Sequence, residues 1–328
     1  MNTNKTIFLS IASQDDEELK HTLQNAFTNA HNPERVYAGV GLTAMHSKTL
    51  RDLKKISKNN KRVSYTFTKQ KKNDISTLGI GKGRSKAASL YKNQDYFIQI
   101  DSHTFLSKDW DADLVNLYEE ARRDLGLEKF VISNIPAVYK YCCHKHKDPI
   151  KAEPDSRYPY FMTHSFFVDS VPRWKEFAIY NFRDEMFLPV AKVSPAFIMG
   201  DSKFGRNTGI HPNAIFYDED FTQSANLFGN GFSFVFLNID DFPVRHLDSN
   251  GIVKGHSRYF FLDYLNQENN KKIHEKLKEE YYKFVNDPKN KETLSRYRQY
   301  SKVDPIKGCF TTNADIVPET FNNTGEGS

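Results

Sequence analysis

An aspartate and a histidine two residues apart close an apolar, β-prone run, Asp95-Tyr96-Phe97-Ile98-Gln99-Ile100-Asp101-Ser102-His103. Alternate side chains of a strand share a face, so Asp101 and His103 converge on one cation if the extended geometry persists as far as His103. One carboxylate oxygen and one imidazole nitrogen suit a divalent ion such as Mn2+ or Mg2+ holding a diphosphate. Asp and Ser also end strands and open turns, and a lone histidine is commonly structural, so the triplet gains meaning only from the elements around it.

Those elements alternate. Ile7 to Ala12 reads as a buried strand, and Ser13 or Asp15 is placed to cap a helix whose apolar stripe is Leu19, Leu23, Ala26 and Phe27. Asn32-Pro33 ends that helix, and Arg35 to Leu42 reads as a second strand. A charged helix around Leu50 to Ile56, a strand from Arg62 to Phe67 and a helix from Arg84 to Lys92 lead into the strand that ends at Asp101. Repeated units of this length predict an α/β fold with a mostly parallel sheet covered by helices. Ligands of such sheets bind beyond the carboxyl ends of the strands, where Asp101 and His103 fall.

Further along, Trp110 to Arg123 predicts a helix and Lys129 to Ser133 a strand, whereas Pro136 to Pro195, broken by prolines and rich in aromatics, reads as loops. Ser194 to Gly200 and Phe232 to Leu237 read as strands and Asp218 to Phe228 as a short helix. From Gln267 to Tyr300 the chain is charged and helical, with Ile273, Leu277, Tyr281, Phe284 and Val285 at helical spacing. The expected organisation is a main domain over 1–265, a charged helical extension over 266–303 and a flexible tail over 304–328.

Composition narrows the class. The 328 residues include 26 Phe and 17 Tyr, yet 27% are charged and the mean hydropathy is −0.65, which describes a water-soluble chain with a large core. No run of about 18 apolar residues exists to span a bilayer, and the start, Met1 to Thr6, lacks the apolar core of a secretory signal, so a cytoplasmic location is expected. Cys142, Cys143 and Cys309 spell neither a disulfide framework nor zinc spacing. A net charge of +5 permits an anionic partner without requiring one.

Several separated segments resemble one family. Ile7 to Ser13 followed by an acidic stretch, and Asn32 to Val40, look like the opening of the GlcNAc-transferases that glycosylate hydroxyproline or threonine, glycosyltransferase family 60. Gly81-Lys82-Gly83-Arg84 with Leu90-Tyr91, and then Asp95 to His103, are similar to that family's central block. Phe197 to Gly200, Phe216 to Asp220 and Arg245-His246 resemble its later elements more loosely.

The resemblance implies a GT-A-type fold and a retaining, metal-dependent transfer of a sugar from a UDP-sugar to a hydroxyl of protein Ser, Thr or hydroxyproline. Asp101 and His103 then replace an Asp-x-Asp pair as ligands of Mn2+ or Mg2+, with His246 as the third ligand and His256 as the runner-up. Ala12, Ser13, Arg84, Asp101 and Asp201 become candidate donor contacts, Arg84 approaching the diphosphate from a Gly-rich turn. Glu219 and Asp220 become candidates for orienting the acceptor. A lysine-rich stretch, with Lys54-Lys55, Lys58, Lys61-Arg62 and Lys69 to Lys72, departs from the family. It is either a solvated face or a sign that the acceptor is a hydroxymethylated pyrimidine in DNA, as for a phage enzyme, with Tyr158, Tyr160, Phe161, Phe166, Phe167 and Trp174 available to hold the base. A module that binds nucleotide sugar or nucleic acid without turnover is the reading outside enzymes.

Overall fold

The computed structural model describes residues 5–44, 47–70, 79–140, 153–154, 160–168, 171–178, 185–216, 218–247 and 267–311. Chain order runs β1 (Ile7–Gln14), α1 (Leu19–Thr28), β2 (Val36–Ala44), α2 (Ser47–Asn59), β3 (Val63–Lys69), α3 (Ile80–Ala88), β4 (Tyr96–Asp101), β5 (Thr104–Leu106), α4 (Trp110–Leu125), β6 (Phe130–Ser133) and β7 (Ala137–Lys140). There follow β8 (Glu153–Pro154), β9 (Tyr160–Val168), β10 (Val171–Ala178), β11 (Phe187–Pro189), β12 (Phe197–Asp201), α5 (Ser202–Arg206), α6 (Glu219–Gly229), β13 (Ser233–Leu237), β14 (Val244–Leu247), α7 (Gln267–Asn286), α8 (Lys291–Ser301), β15 (Val303–Asp304) and β16 (Cys309–Phe310).

The main sheet has the order β11-β13-β6-β12-β4-β1-β2-β3. The β4-β1-β2-β3 half is parallel throughout, as the helix-linked strands require, and β6 and β13 are parallel to each other. β12 enters antiparallel between β4 and β6, and β11 is an antiparallel edge. A smaller sheet, β5-β14-β7-β8, sits off the end of β4, and β9 pairs with β10 as a hairpin.

Both faces of the main sheet are buried, which explains why its strands read as continuous apolar runs. On one face Ile7, Leu9, Ile11, Ile98 and Ile100 pack with Leu19, Leu23 and Ala26 of α1, Leu53 of α2 and Trp110 and Leu114 of α4. Trp110 satisfies its indole N–H on the Ala26 carbonyl at 3.0 Å, which lets so large a ring be buried without loss. On the other face Phe8, Phe97, Val131 and Ile198 pack with Phe204, Phe221, Leu277, Tyr281 and Tyr297.

Four expectations change. The first helix begins at Leu19, and neither Ser13 nor Asp15 caps it: Ser13 and Gln14 still pair with Leu42 and Thr43, so the ladder outlasts the capping signal. Gly81 and Gly83 lie within α3 and not in a turn. The stretch from 136 to 195 contains the paired strands β9 and β10, a separate two-stranded sheet that the proline-broken, aromatic-rich composition does not announce. Residues 304–311 form part of the β15–β16 hairpin, with Asp304 buried, and are not a tail.

Candidate metal and donor site

The site grows from the carboxyl end of β4. Strand alternation turns Ile100 into the α1-side core and Asp101 to the other face, beside Ala12 of β1. The extended backbone stops at Asp101: Ser102 and His103 form a turn, and β5 begins at Thr104. His103 therefore reaches the site by a turn and not by strand alternation. His246 lies on β14, whose register sets it opposite Thr104, so an antiparallel ladder brings it back beside Asp101 across 145 residues. One donor atom each from Asp101, His103 and His246 lie within 4.8 Å of one another. His246 Nε2 is 3.1 Å from Asp101 Oδ2, and the two imidazoles meet edge to face at 4.6 Å between centroids.

Arg84 organises the acids behind this group. It is 3% exposed; its Nη2 donates to Asp101 Oδ1 at 2.9 Å and its Nε donates to Glu219 Oε1. Its Nη1 is buried with no hydrogen-bond partner among the described residues. Burial alone would raise the Asp101 carboxyl, but the Arg84 guanidinium and the His246 hydrogen bond hold it well below the usual carboxylate range. Burial wins at Glu219, which is pushed up to about 7 despite Arg84.

Asp16 belongs to the site and is not evident from sequence periodicity. Its Oδ2 accepts from Ser102 Oγ and meets His103 Nδ1, both at 2.7 Å, and its Oδ1 accepts from the Glu18 backbone N–H at 2.9 Å. Burial opposes its ionisation, but the His103 and Ser102 contacts bring it down to about 2. The available signal was position: Asp15-Asp16 follow β1 at the same sheet edge as Asp101.

The other candidates separate. Ala12 is buried beneath α3, its Cβ close to Gly83, and Ser13 is buried with its hydroxyl unpartnered among the described residues. The acidic pair splits, because successive helix positions point about 100° apart. Glu219 faces Arg84, whereas Asp220 is 3% exposed and paired with the buried Lys192, which holds its carboxylate in the core. Asp201 is also corrected. It registers with Tyr96, at the opposite end of β4 from Asp101, where it binds Arg122 at 2.9 Å and caps α5 through the Lys203 N–H. His256, Cys142, Cys143, Tyr158, Lys71 and Lys72 lie outside the described residues, and Tyr160, Phe161, Phe166 and Trp174 fall on the backbone of β9 and β10. Phe167 packs against Phe310, within the second core.

A carboxylate and two imidazoles are a mixed oxygen and nitrogen donor set of the kind Mn2+ accepts, and a buried arginine N–H without a partner beside them suits a phosphate oxygen. The sheet, its antiparallel β12 and the acid and histidines beyond β4 define a GT-A glycosyltransferase fold. The chain belongs to the family described as Glycosyltransferase (GlcNAc), whose model matches residues 6–73 and 60–237. A crystal structure of GalNAc-T7 with UDP, GalNAc and Mn2+ has a similar fold, with a TM-score of 0.50 and 14% identity over 90% of this chain and 59% of that one. No curated protein matches the sequence. Among the described residues no helix is long and apolar enough to cross a membrane.

Proposed function

We propose that this protein is a metal-dependent glycosyltransferase that moves a sugar from a UDP-sugar to a hydroxyl acceptor. The observation that carries the reading is the meeting of Asp101, His103 and His246 at the carboxyl end of β4 in a chain of this family. These three residues would hold Mn2+ or Mg2+, which when bound supplies positive charge against the diphosphate leaving group. Arg84 adds a fixed cation: two of its nitrogens lock Asp101 and Glu219, and Nη1 remains for a phosphate oxygen. The Ser13 hydroxyl, at the end of β1, is available to the donor nucleoside. Glu219 holds or releases a proton near neutrality and sets the charge next to Arg84, which suits a group placed behind the acceptor.

Retention of configuration and a protein Ser, Thr or hydroxyproline acceptor follow from the resemblance of Asp95 to His103 to the hydroxyproline and threonine GlcNAc-transferases. A hydroxymethylated DNA base is the competing acceptor, favoured by the exposed Lys54, Lys55, Lys58 and Lys61 on and after α2. Mass spectrometry of a panel of UDP-sugars, with hydroxyl-bearing peptides and hydroxymethylated DNA offered together, tests the proposal. Mn2+-dependent transfer to peptide is expected, with Asp101→Ala and His246→Ala each lowering turnover by at least about 100-fold. Transfer to DNA alone would replace the acceptor assignment, and metal-independent turnover would remove the metal from the mechanism.

A further inference from the structure

We propose that Asp16 is a positioning residue of the metal centre, fixing His103 as the tautomer that carries its proton on Nδ1 and leaves Nε2 to coordinate. This rests on the reading of Asp101, His103 and His246 as metal ligands. Asp16 lies outside the three-residue group and acts through the ring of His103. Its three contacts agree in direction. Oδ1 accepts the Glu18 N–H, and Oδ2 accepts the Ser102 hydroxyl while meeting His103 Nδ1 at 2.7 Å. A carboxylate has only lone pairs to offer there, so the imidazole nitrogen facing it is the one bearing hydrogen.

The arrangement solves a local problem. His103 sits in a two-residue turn between β4 and β5, where its carbonyl accepts the Leu247 N–H at 3.0 Å, so its backbone is fixed and the orientation of its ring is left to its side-chain contacts. Asp16 clamps both turn residues, Ser102 and His103, from the segment that follows β1. A carboxylate behind a ligating imidazole orients the ring and raises its basicity, and removing such a partner typically weakens metal affinity about 10- to 100-fold.

Asn in place of Asp16 keeps the shape but has one acceptor oxygen, so an N–H must face one of the three present contacts. Mn2+ titration of the full chain, followed by the electron paramagnetic resonance of the free ion, is expected to give a Kd about 10- to 100-fold higher for Asp16→Asn and Asp16→Ala than for wild type. Imidazole 15N spectra of the metal-free protein, assigned with His103→Gln, are expected to show His103 protonated on Nδ1 in wild type and to lose that signature in Asp16→Ala. If Asp16 only caps the turn before α1, the variants lower the Tm and leave the Mn2+ Kd of the folded protein unchanged, which overturns the proposal. An Nε2–H tautomer in wild type overturns it as well. Wild type that binds Mn2+, loses it in His246→Ala and keeps it in Asp16→Asn refutes the role of Asp16 alone; wild type that binds no Mn2+ refutes the metal reading itself.

Discussion

Arg84 is the residue on which the acidic side of the site depends. It lies between two carboxylates and is itself buried, so Arg84→Leu removes the guanidinium that Asp101 and Glu219 share and leaves Asp101 only its His246 contact. Breaking a buried pair in this way costs about 3–5 kcal/mol, and adding Glu219→Leu is expected to recover part of it; urea denaturation of the single and double variants measures both. Asp218 gives a pH test. It is fully buried, and burial raises its carboxyl to about 6, although the Phe216 and Ile215 N–H groups donate to it. The folded state then keeps a proton that the unfolded chain has lost, so stability falls as pH rises from about 4 to about 6 and levels off above. Asp218→Asn is expected to remove about 2 to 3 kcal/mol of that fall, read from denaturation midpoints across the window. Residue type at a strand end points to Asp101 and His103, and resemblance to the family points to His246; their donor atoms lie within 4.8 Å of one another. Asp16 and the Arg84–Glu219 pair were not legible, since their partners lie 87 and 135 residues away and no local pattern encodes such a meeting. Asp220 and Asp201 show the same limit: an acid in sequence does not reveal the buried Lys192 or the part-exposed Arg122 that pairs with it.

The site's geometry is inherited from how closely α3 lies on the sheet. A Cβ built at Gly41 would run into the backbone of Gly83 and come 3.0 Å from the Ala87 nitrogen, contacts that no side-chain rotation relieves. Gly41→Ala must therefore lift α3, and Arg84 with it, at a cost of about 1–3 kcal/mol or more and with a matching loss of turnover; a thermal melt and a donor-hydrolysis assay report the two effects. Gly126 is the contrast, since it has open space around it and its only demand is a φ of 62° after α4, so its replacement by Ala is expected to cost about 1–2 kcal/mol and leave turnover intact. At this scale the sequence was readable wherever an apolar period was strong, as in α1, α4 and β13. It failed at the ends of α3 and in β9 and β10, where glycines serve packing and strands pair only with each other.

Among the described residues the main sheet is covered on both faces, and the C-terminal helices α7 and α8 pack on one of them. Tyr281 and Tyr297 are among the largest fully buried side chains, and their hydroxyls donate to the carbonyls of Pro305 and Ala191. Removing residues 267–328 strips one face, so residues 1–266 alone are expected to lose cooperative melting and to elute from size exclusion as aggregate; a sharp melt would instead make the helices a separable extension. The spacing of Ile273, Leu277, Tyr281, Phe284 and Val285 announced a buried stripe, but which surface it covers required the fold. The position of β6 has a consequence for biosynthesis. Both of its neighbours, β12 and β13, come later in the chain, whereas β1, β2 and β3 can pair as they emerge. Phe130-Val131-Ile132 therefore leaves the ribosome with no strand to receive it, and although Tyr118 of α4 is already there to stack on Phe130, both strand edges stay unpaired until the chain has grown past residue 197. For those seconds of translation the nascent chain carries an apolar strand with two open edges, which makes this segment, remote from the chemistry, its point of greatest exposure to aggregation and to chaperones.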